Sequence, residues 1–347
     1  MKALVYFQPN KKSINFEGAR LRKTIKNALE LVDVEYTSSV VDNFDIIHLI
    51  SPFDEDKISV AHEMNIPVIA SALNTEDDPS ASYLEYKNKD GKISVELSSK
   101  GLKFLNKCDA VLVPCEYTKE LLLNSGVTSE IRVTFPGVNI ARFDFSRIDE
   151  KDIFYRYFCE KTDKKLVIAI GDYEGNLDGI NALINAAKKC NNAIFYYIGH
   201  TSSMANLSNA AKKVIKTAPK NLHFVGSVPD DVYRSALLNA SIFFLPGYKT
   251  ASIVSLAEAM VAKCQLIVRK QAIYPGILTD GVNAYVAEYS ETLASLCKDY
   301  LDGNIKPTYE ESYMLAKTFS LESFGEQLKW IYQEQINLKH EEEHIDD

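Results

Sequence analysis

No apolar run in this 347-residue chain approaches the ~20 residues that a membrane-spanning helix requires. The N-terminal MKALVYFQPNKK has too short an apolar stretch for a secretion signal and reads as a first buried strand. There is no CxxC pair. The six cysteines (Cys108, Cys115, Cys159, Cys190, Cys264, Cys297) are scattered, which argues against a disulfide framework or a zinc site and for reduced thiols in a cytoplasmic protein. Positive charge is in deficit, 39 Lys and Arg against 47 Asp and Glu, for a net charge of −8. That balance argues against broad binding to nucleic acid or anionic lipid, while leaving room for a local basic patch. No nucleophile elbow or Cys-His spacing marks a hydrolase. No residue cluster calls for a metal or a resident cofactor.

What is present is a globular composition, 46% hydrophobic and 25% charged, on a chain long enough for two domains. Short β-branched runs alternate with longer amphipathic segments. KALVYF, DIIHLI, IPVIASA and DAVLVP predict strands in the first half; KLVIAI, AIFYYIG, NLHFVG, SIFFLP and CQLIVR predict them in the second. Helical patterns cover Glu17–Leu31, Asp54–Met64, Ser94–Lys107, Gly179–Cys190, Asp230–Asn239 and Ser252–Ala262. Near-continuous apolar strands separated by helices indicate α/β architecture, with parallel sheets covered on both faces. The alternation restarts after the charged stretch Asn139–Lys165, read as a linker followed by a helix over Glu150–Glu160. The expectation is a first Rossmann-like domain at 1–149 and a second at 150–320, with the helix from Leu321 packing back on the first. Ligands in such folds sit beyond the carboxyl ends of the strands, and between two domains the cleft is the natural site. The tail HEEEHIDD reads as a solvated acidic run.

A few residues stand out as chemistry-bearing. Pro246–Lys263 reads as strand end, turn and helix, with a single helical carboxylate, Glu258; eight residues earlier stands Thr250, not a second carboxylate. Glu258 is open to two readings, a ligand contact or a locally paired helix carboxylate. His48 lies on an apolar strand and reads as a satisfied core residue. His200 ends the strand AIFYYIG and is either cleft-facing or an ordinary loop histidine. Glu76, Asp77 and Asp78 are adjacent, so they point apart; Asp78–Pro79 fits a helix N-cap and first turn better than a ligand set. Arg20, Arg22, Lys23 and Lys26 form a basic helix face, suited either to anionic lipid head groups or to plain solvation.

A set of segments in a fixed order carries a resemblance: VEYTSSVVDNFDIIHLI, NTEDD, CDAVLVPCEYTKELL, FPGVNIARF, VIAIGDY, NASIFFLPGY, LAEAMVAK, DGVNAY and FGEQLKWIY. Together they resemble the retaining family 4 glycosyltransferases of GT-B fold, and more narrowly the Gram-positive diacylglycerol glycosyltransferases of glycolipid-anchor synthesis. The resemblance implies two Rossmann-like domains facing across a cleft, with a nucleotide sugar held by the second. It implies a residual nucleotide-sugar site at Gly171, Tyr173, His200, Tyr248, Thr250, Ser252 and Glu258, with Glu258 on the ribose hydroxyls. It also implies an Arg and a Lys in the loop matching GDYEGNLDGIN. Gly171, Tyr173 and Gly179 fit that loop, but Asn176, Leu177 and Asp178 occupy the region of the cations. The relatives' acceptor-side histidine falls on Ser71 or Leu73. The glycine that lets backbone approach the diphosphate falls on Ile253.

A leaving diphosphate must be met by cations and a helix N-terminus. With Arg, Lys, His and the first carboxylate all absent at matching positions, the leading expectation is a degenerate glycosyltransferase. It would scaffold or activate an active related transferase, with no confident catalytic residue of its own. Two alternatives remain: an active transferase to a lipid or glycan acceptor using Glu258, His200, Lys249 or Arg269, and a nucleotide-sugar sensor without turnover.

Overall fold

The computed structural model describes residues 1–7, 16–50, 55–72, 86–87, 93–94, 97–143, 151–161, 163–173, 177–200, 207–247, 253–271 and 274–345. Two compact units emerge: Met1–Val138 with Ser252–Val254 and Phe319–Asp347, and Asn139–Ala251 with Ser255–Thr318. The first division thus falls before the expected boundary at 149/150. The segment after it forms a short 3-10 turn, Ile140–Phe143, and within the stretch Glu150–Glu160 expected to be helical a helix runs over Ile153–Phe158.

The first unit is built on β1 (Lys2–Tyr6), β2 (Glu35–Thr37), β3 (Ile46–Ile50), β4 (Val68–Ser71), β7 (Ala110–Val113) and β8 (Glu130–Val133), with a two-residue antiparallel pair, β5 (Tyr86–Lys87) and β6 (Ile93–Ser94), apart from the sheet. The six-stranded order is β2-β1-β3-β4-β7-β8, and every pairing is parallel. Alternate residues serve opposite faces. Ala3, Val5, Ile46 and Ile50 pack with the helices Phe16–Leu31 and Leu321–Ile345, while Leu4, Ile47 and Leu49 pack with Ile58, Phe104 and Leu122 on the other side. Burial on both faces explains why these strands read as unbroken apolar runs.

The second unit repeats the plan with β9 (Lys165–Asp172), β10 (Ala193–His200), β11 (Leu222–Val225), β12 (Ala240–Leu245), β13 (Gln265–Arg269) and β14 (Tyr285–Ala287), in parallel order β11-β10-β9-β12-β13-β14. The chain moves outward from β9 to β11, then returns to the other side of β9 as β12. This reversal puts the loops after β9 and β12 next to each other at the carboxyl ends of the strands, the place where doubly wound sheets bind ligands. No helix among the described residues is long and apolar enough to cross a membrane.

Candidate functional site

At the reversal point of the second sheet, the loop after β12 is fixed from beneath by β13. The Arg269 side chain is completely buried and donates to the Pro246 carbonyl (2.5 Å), the Glu288 carbonyl (2.6 Å) and Ser290 Oγ (2.7 Å). Gln271 Nε2 donates to the Gly247 carbonyl at 2.7 Å. Arg269 therefore anchors a turn to the start of the helix Ser290–Asp302.

From that turn the helix Ile253–Val261 carries Glu258 to an ion pair within its own unit. The Glu258 side chain is 7% exposed and lies 3.4 Å from Arg142 Nη1, and the other terminal nitrogen of Arg142 pairs with Asp230, the first residue of the helix Asp230–Asn239. A carboxylate so removed from water is costly unless paired, and Arg142 supplies the charge. The guanidinium lies 5.7 Å from the Phe143 ring, and the Arg142 backbone is held by a hydrogen bond from Arg234 Nη1 to its carbonyl at 3.5 Å. Arg142 and Asp230 were missed by sequence reasoning. Arg142 lies within FPGVNIARF, but nothing local pairs it with a carboxylate 116 residues away.

The loop after β9 differs from the expectation in two ways. Gly171 has φ +150°, a conformation that favours glycine, and pairs across the sheet with Gly199. Tyr173 consequently folds back over the end of β10. Its ring is fully buried, set edge-on to Tyr197 at 5.1 Å, and its hydroxyl donates to the Val225 carbonyl at 2.7 Å. Burial pushes the phenol pKa well up, so it is a neutral core group and not a ligand-facing one. Second, the following helix begins at Leu177, two residues before the expected start at Gly179, so Asp178 is in its first turn. Leu177 packs against the apolar cluster of the unit, and exposed Asp178 favours the helix dipole. Ile253 is fully buried. Asn176, Tyr248, Lys249, Thr250 and Ser252 lie outside the described residues, as does the side chain of His200.

In the first unit, Ser71 ends β4 and is 6% exposed. A histidine does stand beside it, from the neighbouring strand: His48 Nε2 is 2.7 Å from Ser71 Oγ, and His48 Nδ1 is 2.6 Å from the Tyr332 hydroxyl. The imidazole is completely buried, and burial holds its pKa down at about 3, so it is neutral with both nitrogens engaged. This closed chain suits structure more than proton transfer. Leu73 and Asn74–Asp78 lie outside the described residues. On the helix Phe16–Leu31, Arg22 lies over the Phe7 ring (5.6 Å) and Lys26 over Tyr36 (4.7 Å), so only part of the basic face points outward; Lys23 is exposed.

Comparison with known proteins finds a family match for the second unit and similarity over the rest of the chain. Residues 164–302 match the model described as glycosyl transferases group 1. They form a glycosyl transferases group 1 domain. This group 1 domain spans β9 to β14 together with the reversal point and Glu258. Outside it the likeness continues. The chain is 25% identical to the processive diacylglycerol alpha-glucosyltransferase of Acholeplasma laidlawii, covering 98% of this chain and 100% of the relative. It is 20% identical to the alpha-galactosylglucosyldiacylglycerol synthase of Streptococcus pneumoniae, covering 90% and 92%. Among solved structures, a glycosyltransferase from Rickettsia africae aligns with a TM-score of 0.68 at 13% identity, covering 96% of this chain and 98% of that one. Anabaena HepE, solved in complex with UDP and glucose, aligns with a TM-score of 0.67 at 12% identity, covering 96% and 100%. These structures give the group 1 domain and its companion unit the GT-B fold, two parallel six-stranded sheets with flanking helices.

Proposed function

We propose that this chain works in glycolipid assembly as a glycosyltransferase-like protein. On this reading the group 1 domain still recognises a nucleoside diphosphate sugar, the transfer step of the chain alone is impaired, and it acts with an active related transferase. The observation that carries the reading is the start of the helix after β9, where a half-buried Leu177 and an acidic Asp178 stand in the region expected to hold cations. A leaving diphosphate there would meet apolar surface and negative charge, whereas such an enzyme gains most of its rate from positive groups placed to receive that charge. The closed Ser71–His48–Tyr332 chain adds support on the acceptor side. The full-length likeness to diacylglycerol glycosyltransferases supports the glycolipid assignment.

Nucleotide recognition is assigned to Glu258, whose carboxylate, oriented by Arg142, is suited to accept from two vicinal ribose hydroxyls. Calorimetric titration with UDP tests it. Glu258→Gln is expected to weaken binding by roughly ten-fold or more, the cost of replacing charge-assisted hydrogen bonds with neutral ones. Absence of UDP binding by the native protein, or equal affinity in the variant, would remove the nucleotide from the account. The Arg142–Glu258 contact also favours a second reading, an active transferase in which Arg142 meets the departing diphosphate. That reading requires turnover by the protein alone, lost in Arg142→Ala.

A further inference from the structure

The strand-start end of the second sheet, the edge opposite the reversal-point loops, holds a cavity of about 650 Å³. A second space of about 470 Å³ adjoins it, sharing Ala240, Ser241, Lys263 and Tyr309. The walls are the first residues of β9 and β12, the turn after the helix Ile253–Val261, and the connection from the helix Ser290–Asp302 to the helix Tyr309–Lys317. That connection is held firmly. Tyr285 donates its hydroxyl to the Lys306 carbonyl at 2.8 Å. Buried Gln265 closes a two-way link with Thr308, Nε2 to Oγ1 at 2.8 Å and Oε1 from the Thr308 amide at 2.8 Å.

Among the described residues, the lining of the larger cavity contains Lys165, Lys263 and Lys306 and no carboxylate, in a chain whose net charge is −8. Each lysine is placed differently. Lys165 Nζ donates to the Leu301 carbonyl at 2.5 Å, which draws its ammonium toward the end of the helix Ser290–Asp302. Lys263 has φ +58°, at a helix C-terminus where glycine is favoured, and is steadied by Glu310 at 3.0 Å. Lys306 is exposed, and its ammonium has no partner among the described residues. Tyr300 and Tyr309 add phenol groups. Burial and neighbouring phenols and a thiol push the Tyr300 pKa up to about 12, so it stays a neutral donor at neutral pH. The volume falls within the ~300–1,000 Å³ typical of small-molecule sites.

We propose that this lysine-walled cavity is a second ligand site, which takes a small molecule bearing a phosphate monoester. The ammonium groups would meet the dianion, and the phenols, Ser241 and Asn304 would meet hydroxyls. The site is distinct from the Glu258–Arg142 pair and does not depend on the transferase reading. Calorimetry with glucose 1-phosphate and with inorganic phosphate tests it. Glucose 1-phosphate is expected to bind saturably. Lys306→Glu, which disturbs no partner, should weaken it by roughly ten-fold or more without changing the melting temperature, and Lys165→Ala combined with Lys306→Ala should weaken it further. Glu258→Gln should leave this binding unchanged. Equal affinity for inorganic phosphate would show that only the anion is recognised and would overturn the phosphate-monoester assignment. No saturable binding of glucose 1-phosphate, binding indifferent to Lys306→Glu, or binding lost in Glu258→Gln would each overturn the proposal.

Discussion

Replacing Gly199 with alanine is expected to destabilise the protein by about 3 kcal/mol, toward the upper end of what overpacking a core costs. A Cβ on Gly199 would stand 2.6 Å from Cδ2 and 2.7 Å from Cζ of Tyr173, with Cε2 closer still. The ring has no room to yield, because it is fully buried, pinned through its hydroxyl to Val225 and packed against Tyr197. Tyr173→Phe should cost only about 1 kcal/mol, the net worth of one hydrogen bond, and should leave UDP affinity unaltered. Urea unfolding reads the first effect, and calorimetry on the folded variant reads the second. A Gly199→Ala protein as stable as the native one, or a Tyr173→Phe protein that loses nucleotide, would return Tyr173 to the ligand-facing role that the resemblance implied.

Stability should also fall in mild acid because of His48. Burial lowers its folded-state pKa to about 3, from an ordinary value of 6.5. Between those values the unfolded chain binds a proton that the folded chain refuses. The contribution of His48 is therefore complete above pH 6.5 and is lost progressively as pH falls toward 3. From pH 7 to 4.5 the loss from this one group is about 2 to 3 kcal/mol. His48→Gln keeps a polar side chain but cannot titrate. Urea unfolding at the two pH values should show the native protein losing more stability than the variant, by about that amount. Equal losses in both would mean that the imidazole protonates in place and that the Ser71–His48–Tyr332 chain is open to protons after all.

Much of the fold is legible because its signals are local. SIFFLP becomes β12, the pattern over Asp230–Asn239 becomes a helix with those ends, and the restart of β/α alternation becomes a second parallel sheet. The site is less legible because its contacts are not local. Tyr173 sits in a loop to which the resemblance assigns ligand contact, yet the backbone at Gly171 turns it inward, and no neighbouring letter announces a φ of +150°. Glu258 reads correctly as an isolated helical carboxylate, but Arg142 reaches it from 116 residues away. Ser71 reads as a lost histidine, while the histidine beside it comes from the next strand and is held by Tyr332, 284 residues further along. Periodicity reports which face is buried; it carries no information about which distant side chain completes a pair.

The proposal at stake is that the group 1 domain keeps Glu258 but lacks, at the positions matching its relatives, the cations that make transfer fast. The most direct test is the initial rate of glucose transfer from UDP-glucose to diacylglycerol in detergent micelles, with purified protein alone. Loss of one such charge-stabilising group costs about 10²–10³ in rate, so the account predicts a rate at least ~10³-fold below that of an active diacylglycerol glucosyltransferase assayed alongside. Sustained turnover by the protein alone, saturating with UDP-glucose and abolished by Glu258→Ala, would contradict it.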